Sequence, residues 1–272
     1  MDRPRWAPPD IDIERPSPAR VYDYFLGGFH NFAPDRALAE QFIAAAPDTR
    51  LMVHANREFL RRAVRFLVDA GVRQFLDLGS GIPSVGNVHE IAQRADPYAR
   101  VIYVDIDPVA VAHSEAILAG NDRVGVIQAD LRDASTVLSD PRLRALFDLS
   151  EPTAVLLVSV LHFIADDDDP AGVISAYTDA LGGGGYLVIS HLTSEVVPGQ
   201  MAAGARLSHR AAMPAAPRTR AGIAALFDGL TLIDPGLVWA PRWRPEPGDD
   251  IIDPQRSSFL AGVAYEAPPS VS

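Results

Sequence analysis

The stretch Gln74-Phe75-Leu76-Asp77-Leu78-Gly79-Ser80-Gly81-Ile82-Pro83 decides the fold. A short apolar run that ends in an acidic residue and passes into Gly-x-Gly reads as a buried parallel strand handing over to a tight turn and a helix. Gly79 and Gly81 carry no Cβ and can take positive φ, so the spacing predicts backbone N–H groups at a helix start that face a nucleotide-like ligand. Alone, the pattern also allows a plain βα turn.

The next strands add weight. About 24 residues after Gly81, Val101-Ile102-Tyr103-Val104-Asp105 is another apolar run ending in a carboxylate, at the separation expected of a residue that grips ribose hydroxyls in a βαβ unit. Val124-Gly125-Val126-Ile127-Gln128-Ala129-Asp130 again ends acidic. A blander reading makes Asp105 a turn cap, although Asp107 before Pro108 fits that role better. Asp133 and Ser135 compete in the same way with Asp130.

Outward from this core, helical and strand patterns alternate: helix 85–94, strand 101–105, helix 109–118, strand 124–129, helical region 134–147, strand 154–160, helix 171–181 and strand 186–190. The expectation is an α/β fold, a doubly wound and mostly parallel seven-stranded sheet. After His191 come helices at 199–211 and 219–227, a strand at 231–233, and strands at 237–239 and 258–265. The last two are joined through Pro241, Pro245 and Pro247, which predicts an antiparallel hairpin at the sheet's end.

Upstream, residues 1–18 read as a Pro-rich arm, followed by the aromatic helix Val21-Tyr22-Asp23-Tyr24-Phe25 capped by Gly27-Gly28. Helices are expected over 35–46 and 56–70. Residues 1–70 thus form an arm and helical cap, and 71–272 the sheet domain, in one unit. The aromatic segment, including Asn31, can be an ordinary packed helix or a lid in which Tyr22, Asp23 and Asn31 close over a ligand. Arg57, Arg61 and Arg65 are read as a solvated stripe opposite Leu60, Val64 and Leu67.

Composition narrows the chemistry. The formal net charge is −11 over 272 residues, which disfavours nucleic acid, anionic membranes and polyanionic substrates. No cysteine is present, excluding disulfides and thiolate catalysis, and no lysine, excluding Schiff-base chemistry and a lysine-dependent phosphate loop. No window is apolar enough to span a bilayer and no signal peptide follows Met1, so a cytoplasmic protein is expected. The run Asp166-Asp167-Asp168-Asp169 reads as a solvated loop with Asp169 capping a helix at Pro170, rather than a metal site.

Two nucleotide folds compete. A dehydrogenase fingerprint wants a third glycine where this chain has Ser84. With Ser17-Pro18-Ala19-Arg20-Val21-Tyr22-Asp23-Tyr24, Gly27-Gly28, Asn31-Phe32, Asn56-Arg57, the glycine turn, Asn87-Val88-His89-Glu90, Asp130-Leu131-Arg132-Asp133 and Leu161-His162-Phe163, the chain resembles the class I S-adenosylmethionine-dependent methyltransferases. Within them it is similar to an actinobacterial S-adenosyl methyltransferase family, formerly a domain of unknown function.

The resemblance implies a Rossmann-like methyltransferase fold and S-adenosyl-L-methionine as cofactor. It implies Asp77, Gly79, Ser80 and Gly81 at the methionine end and sulfonium, Asp105 with Ile106 at the ribose, Asp130 with Leu131 at the adenine, and Ser159 nearby. His162 and His191, at the ends of the fourth and fifth strands, are candidates for general base or substrate contact, or else buried histidines bonded to backbone. The expected reaction is methyl transfer to a small-molecule acceptor, with specialised metabolism as the expected setting. A non-catalytic binder of S-adenosylmethionine or S-adenosylhomocysteine and an NAD-dependent oxidoreductase are the rivals.

Overall fold

A computed structural model describes residues 12–83, 86–180, 184–195, 206–208, 214–249 and 253–267. Strands β1 (Gln74–Leu78), β2 (Arg100–Asp105), β3 (Val124–Gln128), β4 (Thr153–Val158) and β5 (Gly185–Leu192) run parallel in the order β3-β2-β1-β4-β5. Strand β8 (Phe259–Glu266) pairs antiparallel with β5 along its whole length. Strands β6 (Thr231–Leu232) and β7 (Val238–Trp239) both pair with the remaining edge of β8. Eight strand segments therefore occupy seven positions, and the antiparallel edge expected from the sequence is present.

Side chains alternate across the strands, so each face buries its own set. Leu76, Ile102, Ile127, Val155 and Leu187 face one layer, made by α6 (Ala134–Ser139), α7 (Pro141–Leu146), α8 (Pro170–Thr178) and α9 (Arg220–Ala225). Phe75, Tyr103, Val126, Leu156 and Val188 face the other, made mainly by α3 (Thr49–Asp69), α4 (Val88–Ala95) and the fully buried Trp243. Each such Leu, Ile or Val contributes about 1.5–3 kcal/mol by burial, which is why the strands read as near-continuous apolar runs. Helices α1 (Pro18–Phe25) and α2 (Ala33–Ala45) form a smaller core with α3 through Val21, Phe25, Leu38, Ala39 and Val53.

Helix ends follow local chemistry. Asp107 caps α5 (Pro108–Ile117) by accepting the Val109 N–H at 2.8 Å, and Asp169 caps α8 by accepting the Gly172 N–H at 3.0 Å. The helical region expected over 134–147 is present as two helices, because Pro141 starts a new one with Asp140 accepting the Arg142 N–H at 2.8 Å. Asp35 does not begin α2. It sits one turn in and reaches back to the Phe32 N–H at 2.7 Å. Helix α3 starts at Thr49, seven residues before the expected Asn56, since Val53 extends the apolar stripe upstream. The helix expected over 199–211 lies outside the described residues except for 206–208, as do Ser84 and Val85.

The arginine stripe is also corrected. At 3.6 residues per turn a four-residue spacing drifts by about 40° per step, so Arg57, Arg61 and Arg65 fan over about 80° of the helix and meet different surroundings. Arg61 and Arg65 bond Glu246 at 2.9 and 2.8 Å near the surface. Arg57, one turn before Leu60, is turned into the cavity described next.

Candidate functional site

A cavity of about 450 Å³ opens at the carboxyl ends of the parallel strands. Asp77, Gly79, Ser80, Gly81, Asp105, Ile106, Asp130, Leu131 and Ser159 all line it, together with Tyr22 and His162. The parallel register accounts for this: Asp77 pairs with Tyr103 on β2, and Asp105 with Gln128 on β3, so successive strands finish at one rim.

The glycine turn works differently from the expectation. The N–H groups of Gly79 and Ser80 donate to the Val104 carbonyl at 2.8 and 3.1 Å, and that of Gly81 donates to the Asp105 carboxylate at 2.7 Å. They are spent on β2 and do not face a ligand. What the glycines supply is conformation and room. Gly79 has φ +71 and a Cβ there would fall 2.2 Å from Val160 Cγ2; Gly81 has φ +65 and a Cβ there would meet open space.

Burial pushes the Asp77 carboxyl up to about 7, with Arg57 opposing and Asp105 reinforcing the rise. Burial likewise raises Asp105 to about 6, against the N–H bonds from Asp107 and Gly81. Asp130 lies at the more open rim, clasped by Arg132 at 3.0 and 2.6 Å, and is held below the usual carboxylate range by it. Arg132 also reaches Asp168 at 3.2 Å, Arg218 pairs with Asp166 at 2.7 Å, and the acidic run is thereby tied to the wall of the site.

Ser159 takes a left-handed φ of 60°, which turns the chain at the end of β4. Its N–H donates to Ser190 Oγ at 3.0 Å, Ser190 Oγ donates to Asn56 Oδ1, and Asn56 Nδ2 donates to the Tyr22 hydroxyl at 2.9 Å. A polar relay thus joins β4 and β5 to α3 and α1. At the other end of α1, Ser17 Oγ donates to Asp107, and Arg20, stacked 5.2 Å over Phe32, bonds Asp35 at 3.0 Å. Ser17, Pro18, Ala19, Val21, Tyr22 and Phe25 consequently wall the cavity. The aromatic helix both packs on a core and covers the crevice.

Three of the sequence-based candidates fall elsewhere. Asp23 is 1% exposed and its carboxylate accepts the His30 N–H and Asn31 Nδ2, both at 2.9 Å. It and Asn31 build the turn after α1, where a Cβ on Gly28 would collide with the Asp23 carboxylate at 2.0 Å, so the glycine pair serves a tight turn there. His191 is fully buried: Nδ1–H donates to the Leu192 carbonyl at 2.7 Å, which leaves Nε2 to accept from Arg218 at 2.6 Å. None of the three lines the cavity.

His162 does line it, only 3% exposed, with its ring against Phe163, Phe259 and His191. Its Nδ1 is enclosed without a partner, and burial holds the ring well below the ordinary histidine range. Arg57 was missed as a cavity residue, although its offset from Val53 and Leu60 carries the signal. Beyond these groups the wall is apolar: Phe25, Phe42, Met52, Leu60, Leu192 and Phe259. Among the described residues no helix is long and apolar enough to cross a membrane.

The site fits an adenosyl sulfonium compound on its own terms. The buried carboxyl of Asp77 lines the cavity, Gly81 leaves open space, and Ile106 is 64% exposed beside Asp105. A search of curated proteins returned no match. The fold is similar to the crystal structure of a candidate methyltransferase from Thermobifida fusca YX, with 40% identity, 97% of this chain and 100% of that chain covered, and a TM-score of 0.91. It is similar too to a DUF574 family protein from Streptomyces avermitilis MA-4680, at 35% identity, 94% and 99% coverage, and a TM-score of 0.90. An O-methyltransferase family protein from Burkholderia thailandensis shares the fold at 18% identity, 83% and 62% coverage, and a TM-score of 0.52. The family model described as S-adenosyl methyltransferase matches residues 4–267, and the chain belongs to that family.

Proposed function

We propose that the protein transfers a methyl group from S-adenosylmethionine to a small, uncharged and largely apolar acceptor. The observation that carries this reading is that one cavity is lined both by the acidic strand ends and glycine turn and by Phe25, Phe42, Met52, Leu192 and Phe259. The charged side chains that line that cavity are Asp77, Asp105, Asp107, Asp130 and Arg132, at or just after the ends of β1, β2 and β3, and Arg57 on α3. An ionic acceptor seated against Phe25, Phe42, Met52, Leu192 and Phe259 would lose its hydration on entry.

On this reading Asp77, Gly79, Ser80 and Gly81 hold the methionyl end, Asp105 and Ile106 the ribose, Asp130 and Leu131 the adenine, and Ser159 the edge of the crevice. S-adenosylmethionine supplies the activated methyl carbon. The residues of the chain orient the acceptor, exclude water and, through α1, cover the reactants. His162 is suited to accept a hydrogen bond from an acceptor hydroxyl or amine. Its depressed basicity makes it a poor store for a full proton near pH 7. That same property favours, as the second reading, a protein that binds the cofactor without turnover.

Calorimetric titration with S-adenosylmethionine and with NAD tests the cofactor assignment: micromolar binding of the first and none of the second is expected, and the reverse overturns it. A metabolite panel assayed for released S-adenosylhomocysteine then separates the enzyme from the non-catalytic binder. Turnover is expected among neutral apolar hydroxyl or amine compounds.

A further inference from the structure

The polar relay from β4 to α1 has a direction, set by its fixed end. A backbone N–H can only donate, so Ser190 Oγ accepts from Ser159 at 3.0 Å. Ser190 is fully buried, and among the described residues its hydroxyl hydrogen goes to Asn56 Oδ1. That orients the Asn56 amide, whose Nδ2 donates to the Tyr22 hydroxyl at 2.9 Å. Tyr22 Oη is therefore the acceptor in this bond, and its own hydrogen is left for another partner. The protein oxygen within reach is the Val53 carbonyl at 3.5 Å, well beyond the usual O–H···O range of about 2.5–3.0 Å and inside α3, whose own ladder uses it. Burial raises the hydroxyl above its ordinary value, against Arg57 and the Asn56 bond, so it keeps that hydrogen.

Tyr22, Asn56 and Ser159 all line the cavity. The relay is anchored on Ser159, just after β4, and on Ser190 of β5, and the sheet order β3-β2-β1-β4-β5 puts these across β1 from Asp105 and Asp130. This donor accordingly belongs to the half of the crevice away from the ribose and adenine positions. Leu192 of β5 and Phe259 of β8 continue the wall in the same direction, and with Phe25, Phe42 and Phe163 they favour a flat ring. A hydrocarbon seated there would displace water from the Tyr22 hydroxyl and leave the donor unsatisfied. A carbonyl oxygen answers it, with two lone pairs and no hydrogen that needs a partner of its own.

We propose that Tyr22 is a specificity-determining residue whose O–H binds a carbonyl oxygen of the methyl acceptor. Resting on the function proposed above, the acceptor is then a neutral aromatic hydroxyl or amine compound that also carries a ketone-type carbonyl. The nucleophile and the carbonyl are separate groups, so that one is methylated while the other fixes the ring.

The test is calorimetric titration of the S-adenosylhomocysteine-saturated protein with uncharged phenols: 3- and 4-hydroxyacetophenone, which carry a ketone, and 3- and 4-ethylphenol, in which a methylene replaces it. One hydroxyacetophenone at least is expected to bind wild type more tightly than its ethyl counterpart. Tyr22→Phe, which keeps the ring, is expected to weaken that ketone about five-fold or more while the ethylphenol and S-adenosylhomocysteine each stay within about two-fold. Asn56→Asp, titrated once a thermal melt shows it folded, puts an acceptor where the amide donated and draws the Tyr22 hydrogen inward. It should show the same selective loss with the tyrosine intact. Ketones no tighter than their ethylphenols in wild type, or a preference that survives Tyr22→Phe, overturn the proposal and leave the cofactor assignment standing. Equal loss of ketone and S-adenosylhomocysteine in Tyr22→Phe also overturns it, since Tyr22 would then serve the cofactor. Failure of wild type to bind S-adenosylhomocysteine removes the cofactor reading, and this proposal with it.

Discussion

One carboxylate oxygen of Asp105 accepts the Gly81 N–H at 2.7 Å, so the acid that ends β2 holds the loop that ends β1. Its other oxygen accepts the Asp107 N–H at 2.8 Å, which sets up the cap of α5. The residue proposed for the ribose is thus also the clasp between two crevice loops. Each oxygen keeps a lone pair for a ligand hydroxyl.

Asp105→Ala is therefore expected to do two things. Adenosyl ligands should bind about 1.5–3 kcal/mol more weakly, the range for hydrogen bonds to a charged group. Stability should fall by about 1–3 kcal/mol because two enclosed N–H groups lose their acceptor. Asp105→Asn keeps one acceptor oxygen and should recover part of the stability but less of the affinity. Calorimetry and thermal melts read the two effects separately, and an unchanged affinity in both variants removes Asp105 from the ribose role.

Gly79 and Gly81 should respond differently to the same substitution. Both have positive φ, which costs a residue with a Cβ about 1–2 kcal/mol. Only Gly79 also faces a wall, with Val160 Cγ2 at 2.2 Å from the added Cβ. Gly79→Ala should lower the melting temperature markedly, and Val160→Ala in the same chain should restore part of it. Gly81→Ala should cost little beyond the backbone strain but place a methyl group in the cavity, reducing ligand affinity. Equal melting temperatures for the two single variants would mean that the Val160 contact is readily relieved.

The sheet was legible because near-continuous apolar strand runs are a local property, and because Asp77, Asp105 and Asp130 repeat at the same place in each βα unit. What failed depended on partners far apart in the chain. Asp23 and Asn31 looked like ligand groups beside glycines, but they close a turn on each other. His191 sits one residue from the end of β5, and nothing local marks Arg218 as the group that occupies its Nε2. The glycine turn was found for a reason that proved incomplete: its N–H groups go to Val104 and Asp105, a fact set by β2 and invisible in the turn itself. Arg57 was grouped by spacing with Arg61 and Arg65, although it stands equally one turn from Val53 and Leu60.

The two histidines should separate cleanly. His191→Ala removes the acceptor beside Arg218 inside the fold and should destabilise the protein by about 1–3 kcal/mol without altering S-adenosylhomocysteine affinity. His162→Phe keeps a ring against Phe163 and Phe259 and removes a nitrogen that has no partner. It should leave stability near wild type or above it, keep cofactor affinity, and lower turnover of any acceptor found. A loss of more than about 1 kcal/mol of stability in His162→Phe would mark the ring as a structural hydrogen-bonding group instead.

The last prediction concerns pH and Asp77. An ordinary carboxylate loses its proton near pH 4, and burial delays this for Asp77 to about 7 and for Asp105 to about 6. Between these limits the ligand-free native chain holds protons that the unfolded chain has released, so both groups make stability fall as pH rises through that window. His113 and His191, lowered by burial to about 4, act in the opposite sense below about 6.5, where the unfolded chain holds the extra protons. The Asp77 contribution is isolated by comparing wild type with Asp77→Asn. The variant should gain on wild type as pH rises from about 4 to about 7 and stay ahead above it. Ligand affinity should run the other way, because only ionised Asp77 can receive an ammonium group: S-adenosylhomocysteine binding to wild type should strengthen with pH up to about 7 and then level off. The same titration of Asp77→Asn should lack that step. A wild-type affinity that is flat from pH 5 to 8 would show that Asp77 is already charged in the complex at low pH or does not meet the ligand, and a stability difference that does not change with pH would show that its carboxyl titrates normally.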